Sequence, residues 1–400
     1  MAIKEVVPNA QVGKRAKTGA EAAAEEVHYD MNGKVFTEVA FTMKQIYYAI
    51  PEHCFHPSML RSFGYVARDF FLMGSLLYAA SYIQYLPSAV ARFAACLVFT
   101  GIWILGHECG HGAFSESKAV NHSVGLFLHT FLLVPFHAWR LSHSKHHKAT
   151  GNMEREVVFV PHTPESFLKT KFGEHADPGH SEFAEIVQEA PIVSMYKLFI
   201  HQTFGWPAYL FAAVSRPTYD VRFYKLNHFY FGEDGPYFGP KDTRHIIISD
   251  VAMAAMIYVL YLFGQAVGHW NAILPYGIPY LMVNHWIVAI IYLQHTDGAL
   301  PHYHDNVWTF AKGATATIDR DFGFIGHHLL HSIIETHALQ HLKVMGQWYI
   351  ADTDTNLLVA LWRNQRNCVF AEESVKGSGI LFYRNLHGKG MPPRLLTTAN

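Results

Sequence analysis

The chain has 400 residues, with 31 Lys and Arg against 32 Asp and Glu and a net charge of −1, a balance that gives no reason to expect a nucleic-acid partner. Half of the residues are hydrophobic and only 16% are charged, against about 25% in an average domain, which places the chain with membrane proteins. The four cysteines (Cys54, Cys96, Cys109, Cys368) are scattered and suggest neither a disulfide framework nor a Cys-type zinc site, whereas the 28 histidines call for an explanation.

Residues 1–34 are polar and rich in Ala, Glu and Lys, with no apolar core of a signal peptide, and residues 1–40 are expected to be a flexible cytosolic arm. Two apolar stretches follow, 70–86 and 88–106, each near the roughly 20 residues that span a bilayer and separated only by Pro87. They predict a helical hairpin, with Arg92 near a helix end and able to snorkel. The next apolar run, SVGLFLHTFLLVPFHAW (123–139), holds Pro135 and two His and is flanked by histidine clusters, so it reads as a shallow or re-entrant helix. Residues 196–214 are amphipathic, interrupted by Pro207, and predict an interfacial helix. A second hairpin is expected from 246–267 and 272–294, after which the chain is polar.

The fold class expected is therefore all-α integral membrane: four transmembrane helices as two hairpins, with interfacial helices and a cytosolic histidine-rich cap, residues 41–395 forming one domain. Both hairpins put their outer ends on one side. Lys44, Arg61, Arg68, Arg140, Lys145, Lys148, Arg155, Arg216, Arg222 and Lys225 flank the spans there, so the positive-inside rule makes that side cytosolic.

The histidine clusters all lie on this side. HECGH (107–111) places His107 and His111 at i, i+4, on one helix face, a spacing that can clamp one ion. It is also literally the H-E-x-x-H signature of zinc proteases, but that reading has no use for the clusters downstream. HSKHH (143–147) projects His143 and His146 or His147 from one face, while the adjacent His146 and His147 point about 100° apart and can address two ions. A C-terminal group holds His295, His327, His328, His331, His337 and His341, of which His327 and His328 are bystanders to the box pattern. So many imidazoles exceed the needs of one ion, and imidazole suits Fe or Zn. Two irons with open positions would suit O2 activation.

Taken in order, these boxes resemble the membrane-bound fatty acyl desaturases, in particular the fungal and plant Δ12/ω3 (oleate and linoleate) branch. GHECGHGAFS (106–115) is similar to the first box of that branch and WRLSHSKHHKATGN (139–152) to the second. The likeness continues through LQHTDGALPHY (293–303), GATATIDRDFGFIGHHLLHSIIETH (313–337) and LFYRN (381–385), so it covers roughly residues 40–390. The resemblance implies an enzyme that uses two iron ions and O2 to introduce a cis double bond into a lipid-linked acyl chain, with a related acyl hydroxylase or acetylenase, or an inactive relative, as alternatives. It implies a multi-pass protein of the endoplasmic reticulum membrane with both termini cytosolic. Electrons would come from NADH through a reductase and a separate cytochrome b5. Carried over by position, the ligand candidates are His107, His111, His143, His146, His147 and His337, with His341 doubtful. A further ligand would be His331 or His295, His331 being preferred, and Trp139 and Thr336 would line the substrate tunnel.

One departure stands out. The third box of the family is H-x-x-H-H, whereas this chain reads HALQH (337–341) and runs almost at once into VMGQWYIADT (344–353). Either Gln340 replaces one ligand, or a segment is missing and His341 belongs to downstream sequence. The shortened spacing favours the second reading, and either one predicts lowered activity.

Overall fold

The computed structural model describes residues 27–82, 88–173, 190–212, 227–232, 237–335 and 346–388. The expected Pro87 turn, the basic residues Arg216, Arg222 and Lys225, and the HALQH junction lie outside those residues.

Helix α1 (Met43–Ala49) starts at a capping box in which Thr42 and Gln45 satisfy each other's backbone amides. Helices α2 (Met59–Tyr82) and α3 (Ser88–His111) then pack along each other. Helix α2 begins well before the apolar stretch at 70–86, and its first half carries Arg61, Arg68 and Asp69. Helix α3 is central: every residue from Cys96 to His107 is buried, and α2 covers one side of it. Such all-round burial is what an apolar stripe wider than one helix face requires.

The run at 123–139 is not one helix. Helix α4 (Lys118–Phe131), capped by Ser117, and helix α5 (Phe136–Ala149) meet at a 108° bend. Helix α4 ends at its C-cap Leu132, Pro135 stands at the N-cap of α5, and Leu133 sits at a φ of 51° in the corner. The bend turns α5, with its histidines, across the end of α3. Helix α6 (Pro164–Phe172) leads away, and α7 (Pro191–Ala212), with Pro207 inside it, covers the expected interfacial segment as far as Ala212.

Helices α8 (Thr243–Val267) and α9 (His269–His295) contain the stretches 246–267 and 272–294 and are joined at Gly268. Both are long and apolar enough to cross a membrane, and the bent α4–α5 pair would make a third crossing if it is one span. The outer face of α8 exposes Val251, Ile257, Tyr258, Val259, Tyr261 and Leu262, an apolar surface suited to lipid. The inner half of α9 is buried against α3 and α7.

Behind the helices the chain is not all-α, and the expected fold class is corrected to mostly helical with small sheets. Strands β1 (His28–Tyr29) and β2 (Val35–Phe36) form a ribbon. A second sheet has the order β3 (Pro301–Tyr303), β7 (Ile380–Arg384), β6 (Phe370–Glu373), antiparallel throughout. Strands β4 (Asp319–Arg320) and β5 (Ala351–Asp352) pair in parallel. These segments are short and the two faces of β7 are both buried, so no alternation betrays them. The ribbon belongs to the stretch read as a flexible arm, yet it is docked: the Met31 amide donates to the Gly298 carbonyl at 3.0 Å and Phe36 lies edge-on to Phe382. Short helices α10 (Phe310–Ala314) and α11 (Gly323–Leu329), and α12 (Leu357–Asn367), complete the cap. Arg320 ties it together from a fully buried position, donating to Asp297 at 2.8 Å and to Asp352 at 2.7 Å.

Candidate metal centre

Helix α3 delivers His107 and His111 one turn apart, and Gly112, with φ of 77°, stops it there. Helix α5 crosses so that His143 and His147, again one turn apart, face them. The His107 and His143 Nε2 atoms are 2.9 Å apart, His107 and His111 3.2 Å, His111 and His143 3.2 Å, and His143 and His147 3.0 Å. One ligand atom from each of the four rings lies within 4.8 Å of all the others. The choice left open between His146 and His147 is resolved: His147 shares the face of His143.

Converging nitrogen lone pairs suit a cation, provided the rings are neutral. Burial, then the neighbouring His147, holds His143 well below its usual pKa. The donor set is all imidazole, which fits iron or zinc.

His146 turns to the other side of α5. Its Nε2 lies 3.2 Å from Nε2 of His295, the last residue of α9, and Phe159 stacks on the His295 ring. Its Nδ1 lies 2.8 Å from Glu156 Oε2, and the other oxygen of that carboxylate accepts from the Val157 and Val158 amides. Glu156 is completely buried. His107 has a lesser counterpart, Glu108, 3.0 Å from its Nδ1 and half-exposed. A carboxylate on Nδ1 fixes the tautomer that leaves Nε2 free to ligate.

Close packing sets these rings. Trp139 stacks on His143 at 4.6 Å, and a Cβ on Gly110 would meet the Trp139 ring at 2.9 Å. A Cβ on Gly106 would meet the buried His129 ring at 2.2 Å. Gly106 and Gly110 are thus needed where aromatic rings lie against α3. Beside His143 and His146 opens a cavity of about 170 Å³, walled by Trp139, Phe159, Trp206 and Ile291.

Not every candidate joins in. His331 is held elsewhere, with Nε2 2.7 Å from Asp69 Oδ2, and Arg68 on the same carboxylate at 2.8 Å. The structure brings His295, rather than His331, against the second box. Thr336, His337 and His341 lie outside the described residues. Sequence reasoning missed Glu156, although an acid directly before the apolar VVFVP run (157–161) is a signal that could have found it.

The comparisons with known proteins agree with the geometry. The family pattern described as fatty acid desaturase matches residues 83–333. The chain is 36% identical to an oleate hydroxylase of Claviceps purpurea, covering 92% of this chain and 86% of that one. It is 39% identical to a Delta(12) fatty acid desaturase of Mortierella isabellina, covering 83% and 88%. With an endoplasmic reticulum omega-6 fatty acid desaturase of Glycine max the identity is 34%, covering 88% and 93%.

Proposed function

The chain belongs to the fatty acid desaturase family, in its Δ12-desaturase-like membrane branch, and on that premise we propose that it introduces a cis double bond of Δ12 or ω3 type into a lipid-linked acyl chain at a di-iron centre. As a desaturase it is an oxidoreductase. The observation that carries the proposal is the convergence of four Nε2 atoms from the first two boxes beside an apolar cavity.

In this reading His107, His111, His143 and His147 hold one iron. His146 and His295 hold the other together with His337. His341, beyond the junction, and His331, bonded to Asp69, take no first-choice place. When bound, the irons supply the activation of O2 and the removal of hydrogen from unactivated carbon. One O2, two electrons, two protons and two hydrogens from adjacent methylenes leave as two waters and a C=C bond. The protein's part is placement. Trp139, Trp206 and Ile291 wall the cavity that receives the acyl chain and keep bulk water from it. Glu156 holds the His146 ring so that its Nε2 faces the centre.

The spans would be α2, α3, α8 and α9, with the cap, both termini and the histidines on the cytosolic side of the endoplasmic reticulum. Residues 41–395 would form one domain. Cytochrome b5, reduced by its NADH-dependent reductase, would be the donor. The likeness to the oleate hydroxylase supports a second reading in which the same site inserts a hydroxyl group, and a protein that keeps the fold without turnover is a third. The zinc-protease reading of HECGH is dropped, because the family accounts for both boxes.

The shortened third box removes donors from the second iron, so activity should be lowered. The test is iron per purified chain together with the fatty-acid profile of a yeast host, beside a chain with a full third box. Fewer than two irons and little diene, both restored by the full box, are expected. Two irons with normal product would sink the impairment, and a hydroxylated product would favour the second reading.

A further inference from the structure

A second group of potential ligands sits on the cap, around α11. Asp321 precedes the helix, His327 lies on it and Glu335 follows it, and one ligand atom from each lies within 4.8 Å of the others. The exposed His327 and Asp321 approach to 3.7 Å between Nε2 and Oδ1, and Asp321 Oδ1 also accepts from the Gly323 amide at 2.6 Å. His327 Nδ1 lies 3.3 Å from the Ser332 hydroxyl, which leaves Nε2 pointing at the carboxylates.

Glu335 is the independent sign. It is only 3% exposed, yet Oε2 has no hydrogen-bond partner, while Oε1 accepts from the Phe322 amide at 3.1 Å. A buried carboxylate oxygen without a donor is costly unless a cation supplies the missing charge. The fold makes room for this side chain. A Cβ on Gly326 would lie 1.7 Å from Glu335 Oε1, so only glycine lets the carboxylate lie under the helix. The chain returns to that place through His331 and Ser332, at φ of 51° and 59°, a strained reversal for side-chain-bearing residues.

We propose that Asp321, His327 and Glu335 bind a divalent transition-metal cation of the Zn2+ class, separate from the four-histidine cluster. One imidazole and two carboxylates form a mixed nitrogen–oxygen set that such an ion accepts, with water completing its shell. The ion staples both ends of α11 across the reversal and so fixes the segment that leads to the third box. Sequence alone makes His327 a bystander, because its partners are three-dimensional neighbours rather than box residues.

The test is a Zn2+ count on the full-length chain in detergent, after chelator treatment and dialysis against buffered Zn2+. In an H111A/H143A/H146A background, which disables both histidine sites of the proposed centre, one Zn2+ per chain should remain. Adding H327A, at an exposed position where folding is not at issue, or E335Q should lower its affinity at least tenfold, while H328A should not. A background chain that binds no Zn2+, or equal behaviour of H327A and H328A, overturns the proposal. If wild type and the H111A/H143A/H146A chain bind the same single ion and H327A releases it, this site stands and the four-histidine reading falls.

Discussion

The helical layer and the cap behind it contribute to the same surface in different ways. In the layer, two pairs of histidines stand at i, i+4 on α3 and α5, and one crossing of two helices brings all four together. In the cap, each functional side chain is single: His295 at a helix end, Arg320 on a two-residue strand, Glu335 after a strained reversal. The layer builds a site by repetition on rigid elements. The cap builds one by long-range contacts.

The largest effect should come from the layer. His143 faces three other rings of the cluster, so H143A should remove the ion there and lower desaturation by at least about 100-fold, more than loss of a supporting residue costs. Metal per chain and product yield in a yeast host check this. An H143A chain with wild-type metal content would break the idea that the layer is a complete site.

Next comes Glu156, which joins the two regions by holding His146 against His295. E156Q should weaken metal binding by about 10–100-fold, the usual cost of losing an outer carboxylate, while E156D keeps most of it. H331A, by contrast, should leave the metal count unchanged, because that ring is bonded to Asp69. Cobalt titration followed by its visible absorption separates these cases. Equal losses in E156Q and H331A would dissolve the distinction between the two histidines.

For the cap itself the expected effect is on stability rather than metal. R320A removes the guanidinium that pairs with the buried carboxylates of Asp297 and Asp352, Asp352 keeping its pair with Arg363. Breaking such a pair costs about 3–5 kcal/mol. Thermal unfolding in detergent should shift downward, with the four-histidine cluster still able to take its ion in the folded fraction.

The same contrast explains what the sequence discloses. Helices α8 and α9, and the pairing of His107 with His111, are legible because helical spacing is local. The run at 123–139 reads as a shallow or re-entrant element, and the 108° bend between α4 and α5 fits a re-entrant element or a broken span alike. Which of His146 and His147 joins His143 depends on how α5 crosses α3, which spacing alone does not fix. The preference for His331 over His295 followed the resemblance, which places a family histidine six residues before the third box, whereas the structure gives His331 to Asp69 and His295 to His146. The sheets escape notice because strands of two to five residues are too short to show a period, and β4 and β7 are covered on both faces.

The smallest effect expected is a pH dependence carried by the cap alone. His302, in β3, is buried, with the Tyr383 ring edge-on to it at 5.0 Å. Burial pushes its pKa down to about 4, whereas an unfolded histidine titrates near about 6.5. The folded state therefore stays neutral where the unfolded state takes up a proton. Stability from this group is fully present above the unfolded value and is lost as pH falls from there through the folded value. Each pH unit within that window should cost at most about 1.4 kcal/mol. H302N should flatten that part of the stability curve while leaving unfolding at pH 8 nearly unchanged. Because His302 lies in the β3–β7–β6 sheet and away from the four-histidine cluster, the slope should appear with the principal metal bound or removed. A slope that vanished on metal removal would instead assign it to the layer.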